Sequence, residues 1–189
     1  MLQRLKSREF DLVYPIMEDS FPVNERRTHE EQKALLKNAA YAIYVLKDGE
    51  NDAVKGFMAL WEFERLVFLE HFAVVPAYRN GGLGAKMLAQ AQHLLQKPFC
   101  LEVELPETVL AARRIAFYER NGFFLNDFPY LQPPLSNGRD PVPLRVMTSG
   151  RAVSREEFER IKALLYTRVY GQPASRTDEN DRHSLQRLP

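Results

Sequence analysis

An α/β fold of the mixed α+β kind is predicted, from three observations. Strand-like and helix-like apolar patterns alternate along most of the chain. Residues 69–88, LEHFAVVPAYRNGGLGAKML, switch period within one segment: an apolar strand-like run ends at Pro76, and Gly81, Gly82 and Gly84 follow behind Arg79. A helical stripe of Leu83, Met87, Leu88, Ala91, Leu94 and Leu95 then begins. The chain has 189 residues, 45% hydrophobic and 27% charged, which suits one domain with a sizeable core rather than a disordered segment.

In chain order, residues 2–6 read as a short first strand, and 9–21 and 28–38 as two helices. Thr28 opens the second with Glu31 three residues on, a capping-box signature. Residues 41–46 form a strand, and Gly49 marks a polar turn. Residues 53–63 and 65–75 read as the next strand pair, followed by the glycine turn and a helix over 82–96. Residues 99–105 form a strand, 109–121 a helix and 123–125 a strand. Gly122 suits a helix C′ position because the left-handed conformation costs it little. A proline-rich loop is expected over 128–141, and 142–148 closes the sheet. Ser154 caps a last amphipathic helix, with Glu157 at the box position and Phe158, Ile161, Leu164 and Leu165 on one face. Residues 1–171 are read as a single domain, and the polar, aperiodic residues 172–189 as a flexible tail.

Strand, glycine turn and helix in that order place unpaired backbone N–H groups at the positive end of a helix dipole, which attracts anions such as phosphate. Two phosphate loops fit badly. A dinucleotide fingerprint started at Gly82 reaches Met87 where it needs glycine, and a P-loop needs Lys then Ser or Thr where Ala85, Lys86 and Met87 stand. The formal net charge of +1 gives no global reason to expect nucleic acid or an anionic membrane as partner. No apolar run approaches the ~20 residues that span a bilayer, and MLQRLKSREF lacks the apolar core of a signal peptide. The single cysteine, Cys100, cannot form an internal disulfide, which fits a reducing cytoplasm, and its apolar surroundings make it a small buried hydrophobe. His29, His71, His93 and His183 are scattered without ligand spacing, so no metal is expected.

What does fit the glycine turn is R-x-x-G-x-G, filled by Arg79, Gly82 and Gly84. A second segment, AARRIAFYERNGFF at 111–124, carries Phe117, Tyr118 and Glu119 on a helix that ends at Asn121, Gly122 and Phe123. Together, in this order, the two segments resemble the GCN5-related N-acetyltransferase (GNAT) family over roughly residues 2–149. The resemblance implies a mixed, mostly antiparallel twisted sheet flanked by helices and splayed between its fourth and fifth strands. Acetyl-CoA would enter that gap as co-substrate, its pantetheine arm bonding the fourth strand like an added strand. Arg79 and the amides of Asn80, Gly81, Gly82, Leu83, Gly84 and Ala85 would hold its pyrophosphate, with Phe72, Ala73, Val74 and Phe117 also lining the cofactor site.

Acetyl transfer to an amine requires the amine to lose a proton, the oxyanion to be stabilised and the departing thiolate to be protonated. The resemblance assigns the oxyanion to a backbone N–H near Phe72, Ala73 and Val74, and the thiolate to the phenol of Tyr118. Pro76 has no N–H to offer. Glu70 is the first candidate for the base, and Glu102 and Glu104, two residues apart on the next strand, are second. His71 is a further alternative, but neighbours on a regular strand face opposite ways, so it shares a face with Glu70 only across a bulge. The family's usual Asn seven residues before the helix tyrosine is Ala111 here, and no Asn function is carried over. The expected activity is transfer of acetyl from acetyl-CoA to a primary amine of a small molecule, by direct attack. The alternatives are a protein or peptide N-acetyltransferase and a non-catalytic acyl-CoA-binding regulatory module. A homodimer is compatible with either.

Overall fold

Seven strands form one sheet in the order β1-β2-β3-β4-β5-β7-β6 in the computed structural model, which describes residues 1–49 and 52–172. β1 (Gln3–Arg4), β2 (Tyr41–Lys47), β3 (Val54–Glu62) and β4 (Val67–Val74) make an antiparallel meander. β5 (Phe99–Glu104) runs parallel to β4, and a parallel neighbour needs a long crossover. That crossover is helix α3 (Leu83–Leu95) with the glycine turn before it. Helix α4 (Val109–Arg120) leads to β6 (Phe123–Gln132), which pairs with β7 (Val142–Ser149), itself antiparallel to β5.

Each face of the sheet has its own core. Tyr14 and Met17 of α1 (Tyr14–Ser20) and Phe158 and Leu165 of α5 (Arg155–Arg168) pack on Ile43, Phe57, Trp61 and Phe68. On the other face Met87, Leu88 and Ala91 of α3 and Ile115 and Tyr118 of α4 pack on Met58, Leu60, Leu69 and Leu101. Cys100 is fully buried in the first core, and burial pushes its thiol pKa well up. No described helix is long and apolar enough to cross a membrane.

The caps predicted from sequence form. Thr28 accepts from Glu31 N at the start of α2 (His29–Ala34), Ser154 accepts from Glu157 N at the start of α5, and Gly122 takes φ +81 just past α4.

Three expectations are corrected. The helix expected over 9–21 is a 3-10 segment, Ser7–Leu12, followed by α1, because Pro15 lacks an N–H and its ring clashes with the carbonyl four residues back. Proline is accommodated only in the first turn of a new helix. The second helix ends at Ala34 and tightens to 3-10 over Leu35–Lys37. The loop expected over 128–141 begins only after Gln132: β6 resumes pairing at Tyr130, opposite Leu144, and both Tyr130 and Gln132 are buried. Pro129 sits in the unpaired stretch between Asn126 and Tyr130, where no ladder N–H is needed. Of the tail expected over 172–189, residues 173–189 lie outside the described residues.

Candidate active site

β4 and β5 pair only over Val67–Phe99, Phe68–Cys100 and Leu69–Leu101, and then separate. Beyond Leu69, β4 still pairs with β3, and the ladder fixes where its amides point. Val75 N donates to Lys55 O, so bonded pairs alternate from there and Ala73 spends its N–H and C=O on Phe57. The N–H groups of Phe72 and Val74 are therefore turned to the open side. Of the three residues named from sequence, Phe72 and Val74 can donate into the gap and Ala73 cannot.

The glycine loop follows directly. Pro76–Tyr78 makes a single 3-10 turn, Asn80 takes φ +67, and Gly82 takes φ +72 as the N-cap of α3 without any side-chain cap. The first amides of α3 are thus left for an outside acceptor. Arg79 folds back so that its Nε donates to Val74 O at 2.8 Å, fastening the loop to the end of β4. Gly84 is needed for close approach: a Cβ there would stand 3.3 Å from Phe117 and 3.6 Å from Phe72. Gly81, Gly82 and Asn80 are exposed, while Leu83, Gly84 and Ala85 are half-buried.

Tyr118 projects from α4 into the core on the α3 face of the sheet, its ring 5.2 Å from Phe117 and 5.7 Å from Phe123. Burial raises its phenol pKa to about 12 against a smaller opposing effect of Arg114, so the hydroxyl keeps its proton at neutral pH.

The carboxylates lie on the opposite face of the sheet. A bulge interrupts the β3–β4 register between Ala59 and Leu60, whose partners are His71 and Leu69, so Glu70 is the extra residue. Glu70 and His71 consequently face the same way. Glu70 Oε1 accepts from Arg27 Nη1 at 2.8 Å, with both side chains buried. Burial raises the Glu70 pKa, but Arg27 and His71 outweigh it and hold the group at about 2. His71 Nε2 donates to the carbonyl of Glu25 at 2.7 Å, since a carbonyl can only accept, and Nδ1 then faces Glu70 Oε2 at 3.5 Å, too far for a hydrogen bond.

Glu102 stands one step past the last β4–β5 pair. Its carboxylate accepts from the hydroxyls of Tyr130 and Tyr170, the latter at 2.8 and 2.7 Å to its two oxygens. Burial, helped by nearby Glu70, raises its pKa to about 7 against the two tyrosines and Arg27. Glu104 is half-exposed and ion-paired to Arg114 at 2.6 Å. Glu70 is therefore a locked anion, Glu104 an exposed ion pair, and Glu102 the carboxylate whose affinity for a proton matches neutral pH.

Arg27, Tyr170 and Glu25 were not found from sequence. Arg27 is 43 residues from Glu70 and Tyr170 is 68 from Glu102, so no local spacing signals either pairing. Tyr130 falls within the stretch expected as a loop, 128–141. A separate concavity of about 610 Å³ beside α1 and α2 is lined by Asp11, Glu18, Arg26, His29 and Arg139 among others, and holds none of the candidate residues. Among the described residues no His, Cys, Asp and Glu group could hold a metal ion.

Comparison with known proteins agrees with this fold. The family model of the acetyltransferase (GNAT) domain matches residues 39–124. The chain is 32% identical to a solved structure described as "Putative acetyltransferase from GNAT family from Bacteroides thetaiotaomicron", covering 92% of this chain and 99% of that one with a TM-score of 0.83. It is 25% identical over 177 residues to "Putative acetyltransferase YjbC" of Bacillus subtilis, covering 88% of this chain and 89% of that protein. Arabidopsis thaliana NAA60 in complex with acetyl-CoA shares the fold at 15% identity, covering 78% of this chain and 96% of that one with a TM-score of 0.60.

Proposed function

The chain belongs to the GCN5-related N-acetyltransferase family, and we propose that it moves an acetyl group from acetyl-CoA to the primary amine of a small molecule by direct attack. The observation that carries this reading is the parting of β4 and β5 after Leu69 and Leu101. In support, the outward amides of Phe72 and Val74 and the side chain of Glu102 lie just past that parting on the two strands, and the glycine loop follows β4 directly.

The donor fits what the chain offers. The pyrophosphate would be held by the loop from Arg79 to Ala85, where Asn80 and Gly82 already take left-handed backbone. The pantetheine arm would meet the unpaired side of Phe72 and Val74, with Gly84 and Phe117 closing the floor. Acetyl-CoA supplies an acyl group activated as a thioester.

The protein's own groups do the remaining work. An amide of Phe72 or Val74 donates to the acyl oxygen as it gathers charge. Glu102 takes the proton from the amine, directly or through a water, and its pKa of about 7 lets it hold and release that proton near neutral pH. Glu70, neutralised by Arg27 in a sealed ion pair, takes no proton in this reading and holds the wall beside the opening. Tyr118 donates a hydrogen bond to the departing sulfur. A phenol pushed up to about 12 stabilises that thiolate chiefly by this bond rather than by giving up its proton.

A small acceptor is supported by the loop that bounds this face. Pro133 and Pro134 stiffen it, and Ser136 Oγ bonds Glu31 of α2, tying it down.

The test is thiol release from acetyl-CoA against a panel of polyamines, aminoglycosides, amino acids and peptides. Release with one small-amine class carries the proposal. Strong peptide preference overturns the small-molecule part. Silence across the panel, with acetyl-CoA still raising Tm, overturns the catalytic reading.

A further inference from the structure

The carboxylate of Glu102 is gripped from two directions by residues far away in the chain. Tyr130 reaches it from β6 and Tyr170 from the turn just beyond α5. We infer that Tyr130 and Tyr170 are positioning residues that hold Glu102 at the mouth of the β4–β5 gap, so that the chain beyond α5 is part of the active site. This rests on Glu102 as the base proposed above and extends it.

Tyr170 is itself held in place. Tyr170 N donates to Leu165 O and Gln172 N to Tyr166 O, closing the end of the helix. Arg27 Nη2 donates to Val169 O at 3.3 Å while its Nη1 pairs with Glu70, so one buried guanidinium fastens the end of α5 to the bulge of β4. Tyr166, whose hydroxyl bonds Leu131 O, packs edge-on against both Tyr130 and Tyr170. Val169, Tyr170, Glu70 and Glu102 are thus joined through shared partners, although they come from three separate parts of the chain.

The chemistry of the grip has a sign. A phenol donates to an ionised carboxylate and stabilises it. Burial and the neighbouring negative charge of Glu102 keep both phenols protonated, so they act as donors throughout the neutral range. The groups that bear on Glu102 are Tyr130 from β6, Tyr166 and Tyr170 from α5 and its end, Glu70 from β4, Arg27 before α2, and Cys100 on its own strand. Glu70 stays ionised over the neutral range, so loss of one tyrosine hydroxyl is felt mainly by Glu102. Its proton affinity must then rise.

The experiment is a pH titration of side-chain carboxyl carbons, by NMR, in the full chain labelled with ¹³C at the glutamate carboxyl. The Glu102 signal is assigned by its loss in Glu102→Gln. Its midpoint is expected near 7 in the parent protein. In Tyr170→Phe and Tyr130→Phe it should rise by roughly half a pH unit or more, and the acid limb of kcat/KM should move with it, with KM for acetyl-CoA unchanged. Tyr166→Phe, which loses a bond to a carbonyl instead, should leave the midpoint in place. A Glu102 midpoint unmoved in both tyrosine variants, with Glu102→Gln inactive, overturns the grip and leaves the base standing. Full turnover by Glu102→Gln overturns the base and the grip's part in the active site together. If Tyr170→Phe does not fold, Tyr130→Phe carries the same test.

Discussion

Two glutamates on neighbouring strands end with opposite proton affinities, and the difference lies in what each touches. Glu70 has a guanidinium at 2.8 Å, whereas Glu102 has two neutral hydroxyls. The pair Arg27–Glu70 is sealed, with side chains 7% and 3% exposed, so removing one partner strands a charge. Glu70→Gln should therefore lose about 3–5 kcal/mol in urea denaturation. Tyr118→Phe keeps the ring packed between Phe117 and Phe123. It should lower turnover at least about tenfold while isothermal titration finds the acetyl-CoA Kd unchanged. Tyr118 was legible because its neighbours in sequence, Phe117, Asn121 and Gly122, are also its neighbours in the helix and its cap. The preference for Glu70 over Glu102 as base rests on strand position and on the family resemblance. Strand position is silent about Arg27, which arrives from before α2 to neutralise the first carboxylate, and about Tyr170, which arrives from beyond α5 to grip the second.

Elements were legible wherever one short-range signal decided them. Thr28 and Glu31, or Ser154 and Glu157, announce a helix start because both halves of the cap lie within four residues. The β4 bulge carries no such signal, since Glu70 and His71 share a face through mispairing with β3, a relation between two strands. β6 was cut short for a similar reason: Pro129 reads as a strand breaker until the partner strand shows that nothing needs its N–H. The contact of α3 with the sheet gives a sharp expectation. Gly56 lies where a Cβ would be 2.8 Å from Ala73 O and 2.9 Å from Met87 Sδ. Gly56→Ala must push α3 off β4 or bend β3, and should destabilise by about 1–3 kcal/mol. Gly82→Ala meets no steric neighbour, but its φ of +72 should cost roughly 1 kcal/mol. Because that residue shapes the loop, the same substitution should weaken acetyl-CoA binding in a titration.

At the scale of the whole molecule the two carboxylates tilt the pH dependence of stability in opposite directions. Glu102 binds its proton more tightly folded, at about 7, than at the ordinary carboxylate value of 4.5. The folded state then holds the extra proton between those values, and stability falls as pH rises from about 4.5 to 7. Glu70 is depressed to about 2, so its contribution is complete above 4.5 and is lost as pH falls from 4.5 towards 2. Urea midpoints across pH 5–7 should slope downward in the parent and flatten in Glu102→Gln.

The parting of β4 from β5 has one more consequence. A strand in fourth place of seven would ordinarily have partners along both sides, yet from Phe72 onward β4 has no strand on its β5 side, where Val74 O accepts from Arg79 Nε and the amides of Phe72 and Val74 face outward. The molecule thus keeps a sheet edge in its middle, and such an edge invites a strand from another chain. A bound pantetheine arm would claim the same bonds. Acetyl-CoA should therefore slow self-association in light scattering even without any amine, an activity-independent service of the donor as guardian of the protein's own solubility.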